Sequence, residues 1–319
     1  MHLDPPLLHV YARLAALAAG LPPAAPDDLD AQRRGSNATM MLLAPPHDPS
    51  LLVDEHRVPV EGGEITVRLT RPKGLAEPAP LLVFLHGGGW FKGDIDTGEV
   101  ECGPLASLVP CAVASVDYRL APEHPYPIPL EDCLAAYLWL LDHASELGLD
   151  ARRVALGGAS AGGNLTAALC LLLRDRGLPL PIFQQLDAPA LDLTPEGNKE
   201  DGGLANLTSE DLLRFAAYYL GADGDPRDPY VSPLHAPDLS GLPPAVLVVC
   251  EHDPVRAHGE RYLARLHKAG VAAAAVRLLA HPHGGWMAPG TVSATLVHEM
   301  RAGVLRRAFA GTLIAPVPG

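Results

Sequence analysis

Short apolar runs that end in Gly, Pro or Asp alternate along most of this chain with stretches of helical period, and that alternation leaves few folds open. The runs lie at 51–60, 65–71, 81–85, 112–117, 154–156, 182–186, 245–250 and 274–279, and each has the length and composition of a strand. Helical period fills the gaps between the later ones, at 130–147, 161–176, 258–269 and 292–309. Repeated βα units predict an α/β fold with a mainly parallel sheet and helices on both faces. The first two strands, joined by the tight Glu61-Gly62-Gly63, predict an antiparallel hairpin at one edge. Two regions fall outside the pattern: residues 1 to about 48, read as a helix followed by a Pro-rich tract, and about 190–225, a loop followed by a helix over 209–220. Each predicts a cap element over the carboxyl ends of the strands, where α/β folds place their sites. The expected organisation is an N-terminal cap segment, 1–48, and one catalytic domain, 49–319, with a cap insertion at about 190–225.

Bulk properties narrow the function classes. A chain of 319 residues with 48% apolar composition can bury a large core. Its 24 Lys plus Arg stand against 37 Asp plus Glu, a formal charge of -13, and no basic run is long enough to neutralise a phosphate backbone, so nucleic acid is not an expected partner. The first twenty residues lack a basic n-region, and no apolar stretch approaches the roughly 20 residues that span a bilayer, so neither a signal peptide nor a membrane is expected. Five cysteines, an odd number with no C-x-x-C spacing, read as buried small residues of a reducing cytoplasm.

Gly158-Ala159-Ser160-Ala161-Gly162 matches G-x-S-x-G and stands between a strand and a helix, as that motif requires. The turn is sharp enough that side chains beside the serine would clash, and the helix N-terminus behind it offers free N–H groups to a developing oxyanion. The same small residues would also suit a mere close-packed turn, so the supply of a base and an acid downstream decides. Asp253 follows the strand at 245–250 and His283 lies after the next strand, in the order Ser, Asp, His that this fold uses. His86-Gly87-Gly88-Gly89-Trp90 follows the strand at 81–85, where three glycines leave backbone N–H groups uncovered. His281 and His283 form an H-x-H pair, but no further ligand accompanies it at metal spacing, so neither a metal nor a cofactor is expected.

With these residues the sequence resembles the hormone-sensitive lipase family of bacterial esterases, which has the α/β-hydrolase fold, from about residue 50 to about 285. The resemblance rests on HGGGW (86–90), VDYRLAPEHPYP (116–127), GGASAGGNL (157–165) and EHDPVR (251–256). It implies a serine carboxylesterase acting on short to medium acyl esters through an acyl-enzyme, with Ser160 as nucleophile, Asp253 as acid and His283 as base. By the same likeness the oxyanion donors are the N–H groups of Gly88, Gly89 and Ala161, and N-terminal helices form a cap. The register from Ala269-Gly270-Val271 onward favours His283 over His281, and Tyr118, Arg119 and Glu123 are structural, with Arg119 expected to pair with Asp117 or Glu123.

Three departures from the family pattern bear on the substrate. Ala159 replaces an Asp, Gly285 stands where an aromatic follows HG, and QQLDAP (184–189) replaces an apolar strand that ends in Tyr-Pro. The expected pocket residues are His86, Trp90, Asp187, Ala188, Gly285 and Trp286. For Asp187 two readings stand: it enlarges the pocket with Ala188 and favours polar or cationic substrates, or it is absorbed by the following turn or a nearby Arg. Two alternatives to a plain esterase also stand, a deacylase acting on an ester or amide of a larger secondary metabolite, and a hydrolase-like binding protein without turnover. The partners expected are a small-molecule ester and, beyond it, only a second copy of the chain in a homodimer.

Overall fold

A computed structural model describes residues 3–20, 25, 28–46, 48–198 and 207–314. The chain opens with two helices, α1 (Pro5–Ala18) and α2 (Leu29–Met41), followed by the strands β1 (Leu51–Val60), β2 (Gly63–Pro72) and β3 (Ala79–Leu85). Helices and strands then alternate: α3 (Ile95–Leu108), β4 (Ala112–Asp117), α4 (Ile128–Asp142), β5 (Leu149–Ala159), α5 (Ala161–Asp175) and β6 (Phe183–Asp187). The last part runs α6 (Ser209–Leu220), β7 (Ala245–His252), α7 (Arg256–Lys268), β8 (Ala273–Pro282) and α8 (Val292–Phe309). The eight strands form one sheet in the order β1-β2-β4-β3-β5-β6-β7-β8. Only β2 runs antiparallel to its neighbours, β1 and β4; from β4 to β8 every pair is parallel.

Sequence and position in the sheet agree. Every residue of β3 (APLLVFL) is buried, as a strand covered by helices on both faces must be. By contrast β1 is mostly exposed, and its LLVDEHRVPV carries Asp54, Glu55 and Arg57, charges that discourage pairing with another chain at an open edge. Its turn needs only Glu61 and Gly62, because Val60 pairs with Gly63 and Gly62 adopts a positive φ of 79°. Among the described residues no helix is long and apolar enough to cross a membrane.

Two helices escape sequence reading. The periodic signal of α3 is weak because Gly98, Gly103 and Pro104 lie inside it, yet a capping box between Asp94 and Thr97 starts it firmly. The second is α2, in the segment read as a Pro-rich tract; its polar LDAQRRGSNATMM buries none of its residues fully. Polar anchors hold it instead. Arg33 donates to the carbonyls of Phe91 (2.7 Å) and Ala121 (3.0 Å) and forks onto Glu123 (2.8 Å at Oε1). Glu123 is therefore the partner of an N-terminal helix and not of Arg119, whose guanidinium is taken by Asp132 at 2.7 and 2.9 Å. The turns over 121–127 fold the chain back so that Asp132, near the start of α4, meets Arg119.

Beneath the sheet's carboxyl end lies a buried charge network. Arg301 of α8 is fully enclosed, donates to Glu101 of α3, and pairs with Asp187 at the tip of β6 at 2.9 Å. Glu101 also accepts the Trp286 indole N–H at 2.8 Å. Replacing Arg301→Met would leave two buried carboxylates without their counter-charge, and the expected loss is about 3–5 kcal/mol in the urea-unfolding free energy. The triple replacement Glu101→Leu, Asp187→Leu, Arg301→Met is expected to lose less than the single one; a single-variant loss under about 1 kcal/mol would contradict the pairing.

Candidate active site

At the end of β5 the chain must turn into α5 within a single residue, and close approach decides which residues permit it. A Cβ on Gly162 would stand 1.9 Å from the carbonyl oxygen of Leu85, and one on Gly158 would stand 2.3 Å from that of Gly162. With those atoms missing, the first turn of α5 rests directly on the tip of β3. Ser160 is left at the apex with φ 57° and ψ -115°, a conformation that costs of order 1–3 kcal/mol and holds only when its surroundings fix it. They do so here: its N–H donates to Asp187 O (2.8 Å), and its carbonyl accepts from Asn164 (3.0 Å). The buried Asn164 amide in turn donates to Ala190 O (2.7 Å) and Val231 O (2.8 Å), tying the helix start to two loops.

The histidine arrives from the loop after β8. His283 Nδ1 donates to Asp253 Oδ2 at 2.7 Å, and its Nε2 lies 2.9 Å from Ser160 Oγ. A carboxylate at Nδ1 fixes the ring proton there and leaves Nε2 to accept from the serine hydroxyl. Asp253, almost fully buried, is held in place by the N–H of Val255 (3.0 Å) on its other oxygen. Neither His281 nor Glu251, the carboxylate two residues before Asp253, reaches this chain of bonds. His281 turns its Nδ1 to Leu279 O (2.7 Å), and Glu251 accepts from Ala280 N–H (2.8 Å) and Arg277 (3.1 Å).

Beside the serine, the Gly-rich loop leaves β3 with Gly88 at φ 126° and Gly89 at φ 61°. A Cβ at Gly88 would lie 2.1 Å from Lys92 O, so the loop closes only on glycine there. Among the described residues no acceptor takes the N–H groups of Gly88, Gly89 or Ala161. His86 supports the loop from below: its ring stacks on Tyr118 with centroids 4.3 Å apart, and the Tyr118 hydroxyl donates to His86 O at 2.8 Å. Burial holds the His86 imidazole below its ordinary pKa, so it serves as a neutral buttress. Trp90, also buried, stacks on Tyr219 of α6 at 4.7 Å.

Ser160 and His283 open into a cavity of about 870 Å³. Its walls include His86, Trp90 and Trp286, as the sequence leads one to expect, together with Tyr11 and Leu14 of α1, Met40 of α2, Glu101 of α3 and Phe215 of α6. Asp187, Ala188 and Gly285 do not line it, which corrects the expectation for all three. Asp187 faces Arg301 and Gln185, and Ala188 is drawn into the sheet by its N–H bond to Val248 O (2.7 Å); Gly285 packs against His281 and Pro282, and its neighbour Gly284 reaches the cavity instead. Burial pushes the Asp187 carboxyl up to about 6, and the Arg301 charge only partly opposes it. The cationic pull that a free carboxylate would exert on a substrate is thus spent inside the protein. Residues that sequence reading missed, notably Glu101, Lys92 and Arg301, sit on helices or loops where nothing in their neighbourhood along the chain marks them.

A serine at such an elbow, answered in chain order by an aspartate and a histidine, is the constellation of α/β-hydrolases. Residues 82–287 match the family described by the alpha/beta hydrolase fold, and the chain belongs to that family, within its hormone-sensitive-lipase-like group. It is similar to the carboxylic ester hydrolase LipN of Mycobacterium tuberculosis, 43% identical over 257 residues that cover 77% of this chain and 67% of the relative. An arylesterase of Saccharolobus solfataricus is 34% identical over 79% of this chain and 83% of its own. Among solved structures, the hyperthermophilic esterase of Pyrobaculum calidifontis superposes with a TM-score of 0.86 at 35% identity, covering 96% of this chain and 98% of that one. A bacterial heroin esterase gives 0.86 at 32% identity over 97% and 98%.

The seating of the elbow is open to test. Gly162→Ala is expected to lower the unfolding free energy by more than 2 kcal/mol, of the size found for overpacking. Gly303→Ala on α8, where a Cβ meets nothing within 4 Å, is expected to be neutral or to stabilise by about 0.5–1 kcal/mol. Equal effects of the two changes in urea melts would refute the close-approach argument.

Proposed function

We propose that this chain is a serine carboxylesterase that hydrolyses short to medium acyl esters through an acyl-enzyme, with Ser160 as nucleophile, His283 as general base and Asp253 as its orienting acid. The observation that carries the reading is the unbroken hydrogen-bond chain from Ser160 Oγ through His283 to Asp253. In the first half-reaction Ser160 Oγ attacks the ester carbonyl while His283 Nε2 takes its proton, and Asp253 stabilises the imidazolium that forms. The carbonyl oxygen becomes an oxyanion facing the N–H groups of Gly88, Gly89 and Ala161, which have no other acceptor among the described residues. His283 then gives its proton to the departing alcohol. Water repeats the sequence on the acyl-enzyme and frees the acid.

The substrate is set by the cavity. Its volume of about 870 Å³ suits a small organic ester, and helices α1, α2 and α6 close it over with Tyr11, Leu14, Met40, Leu212 and Phe215. We read residues 1–48 as a cap on a catalytic domain that begins at about 49, with 190–225 as a second cap element. The names of the relatives, carboxylic ester hydrolase, carboxylesterase and arylesterase, support the same class of substrate.

Ser160→Ala is expected to abolish hydrolysis of para-nitrophenyl esters and labelling by a fluorophosphonate, while the urea midpoint stays close to that of the parent. Labelling at any other serine would overturn the assignment. Asp253→Asn is expected to lower kcat by about 10⁴, because the amide presents the wrong tautomer to His283. A loss under about tenfold would mean that another group orients the base.

A further inference from the structure

Most of the cavity wall is apolar or internally paired, yet among the described residues one cation stands in it with no anion at ion-pair distance. Lys92 lies on the stretch between the Gly-rich loop and α3, and its half-buried side chain lines the cavity. Its backbone N–H donates to Gly88 O at 3.1 Å, so it is fixed one tight turn from the proposed oxyanion donors. The ammonium sits 5.4 Å from the ring centroids of both Phe91 and Phe215. Two aromatic faces offset part of the cost of drawing it out of water, but they accept none of its three N–H bonds in the way an oxygen would. Among the described residues Lys92 forms no ion pair and no hydrogen bond through Nζ.

Nearby charges do not change this. Asp211 of α6 attracts Lys92 through space, but its oxygens are committed to Arg214 (2.7 Å) and to the Thr208 hydroxyl (2.8 Å), and Arg214 repels. Elsewhere on the wall, Glu101 is committed to Arg301 and Trp286. Among the described residues of the wall, Lys92 is thus the one Lys, Arg, Asp or Glu side chain with no partner at ion-pair distance. Burial keeps that ammonium below the ordinary lysine pKa, as expected of a cation that lacks a close anion.

We propose that Lys92 receives a carboxylate of the substrate, so that the preferred esters carry an anionic group remote from the scissile bond, in the acyl or the alcohol part. This rests on the esterase reading above. Recognition has to be local, because a protein of net charge -13 offers anions no long-range attraction. A carboxylate at Lys92 would replace lost water with charge-assisted hydrogen bonds, which in such settings change kcat/KM by about tenfold or more.

The test uses two matched ester pairs. For the acyl side, the para-nitrophenyl monoester of adipic acid is compared with para-nitrophenyl heptanoate; for the alcohol side, the butyrate of para-hydroxyphenylacetate with that of para-hydroxyphenylacetamide. The ratio of kcat/KM, charged over neutral, is measured for the parent, Lys92→Met and Lys92→Arg. In one pair the ratio is expected to fall about tenfold in Lys92→Met, chiefly through KM, and to recover in Lys92→Arg. If neither ratio moves by more than about twofold, Lys92 only packs against its two rings and the proposal is wrong. Lys92→Gln provides a second neutral variant should the Met variant not fold. Failure of the underlying reading would look different: the neutral esters would then not be turned over by the parent, or their turnover would survive Ser160→Ala.

Discussion

The resting of α5's first turn on the tip of β3 is the contact from which the remaining geometry follows. It requires two residues without side chains, Gly158 and Gly162, and it forces Ser160 between them into a backbone conformation that the chain would not otherwise adopt. The strain is held by partners on three sides. The backbone of β6 takes the Ser160 N–H, the Asn164 side chain clamps the loops at Ala190 and Val231, and the carbonyl of Leu85 meets the glycine backbone of α5 from below. A serine hydroxyl can then stand clear of the sheet, in reach of an imidazole that comes from a loop more than a hundred residues later.

That arrangement depends in turn on the buried charges around Arg301. Asp187 supplies the carbonyl that holds Ser160, and its side chain is anchored to α8; Glu101 joins the same guanidinium to α3 and, through Trp286, to the loop that carries His283. One guanidinium thus connects the elements that carry Ser160 and His283. Such a network is no free gain in stability, since each ion was taken out of water and Asp187 Oδ1 finds no hydrogen-bond partner among the described residues. Its effect is geometric: a hydrophobic core in the same place would fill the volume without fixing the direction of the β6 tip.

Local chemistry was legible in the sequence, and distant pairing was not. The bounds of β1, β4, α6 and α8 follow from periodicity and turn residues, and the elbow declares itself through its small residues. By contrast α3 is hidden by its own Gly98, Gly103 and Pro104, and α2 by a polar composition that only its anchors at Phe91, Ala121 and Glu123 explain. Asp187 shows the limit most clearly. Its neighbours along the chain leave two readings open, a carboxylate beside the substrate or one absorbed by a turn or a nearby Arg, and only folding shows that α8 brings that arginine to it. For the same reason Arg119 pairs with Asp132, at the start of the next helix, and not with the carboxylates beside it.

The N-terminal helices are joined to the site more closely than a simple cover would need. Besides the Arg33 anchor, Asn37 of α2 donates to Asp94 (2.6 Å) and accepts from Gly93 N–H (3.1 Å), so that α2 holds the carbonyl of Phe91 and the backbone of Gly93 on either side of Lys92. The loop bearing Gly88 and Gly89 is thereby fixed at both ends, by β3 before it and by α2 after it. If these helices moved away as a rigid lid they would have to break these bonds and would free the Gly-rich loop with them. Access to the cavity and order in the Gly-rich loop are consequently coupled: the helices that close the cavity also hold the backbone on which, under the proposed function, the transition state would rest.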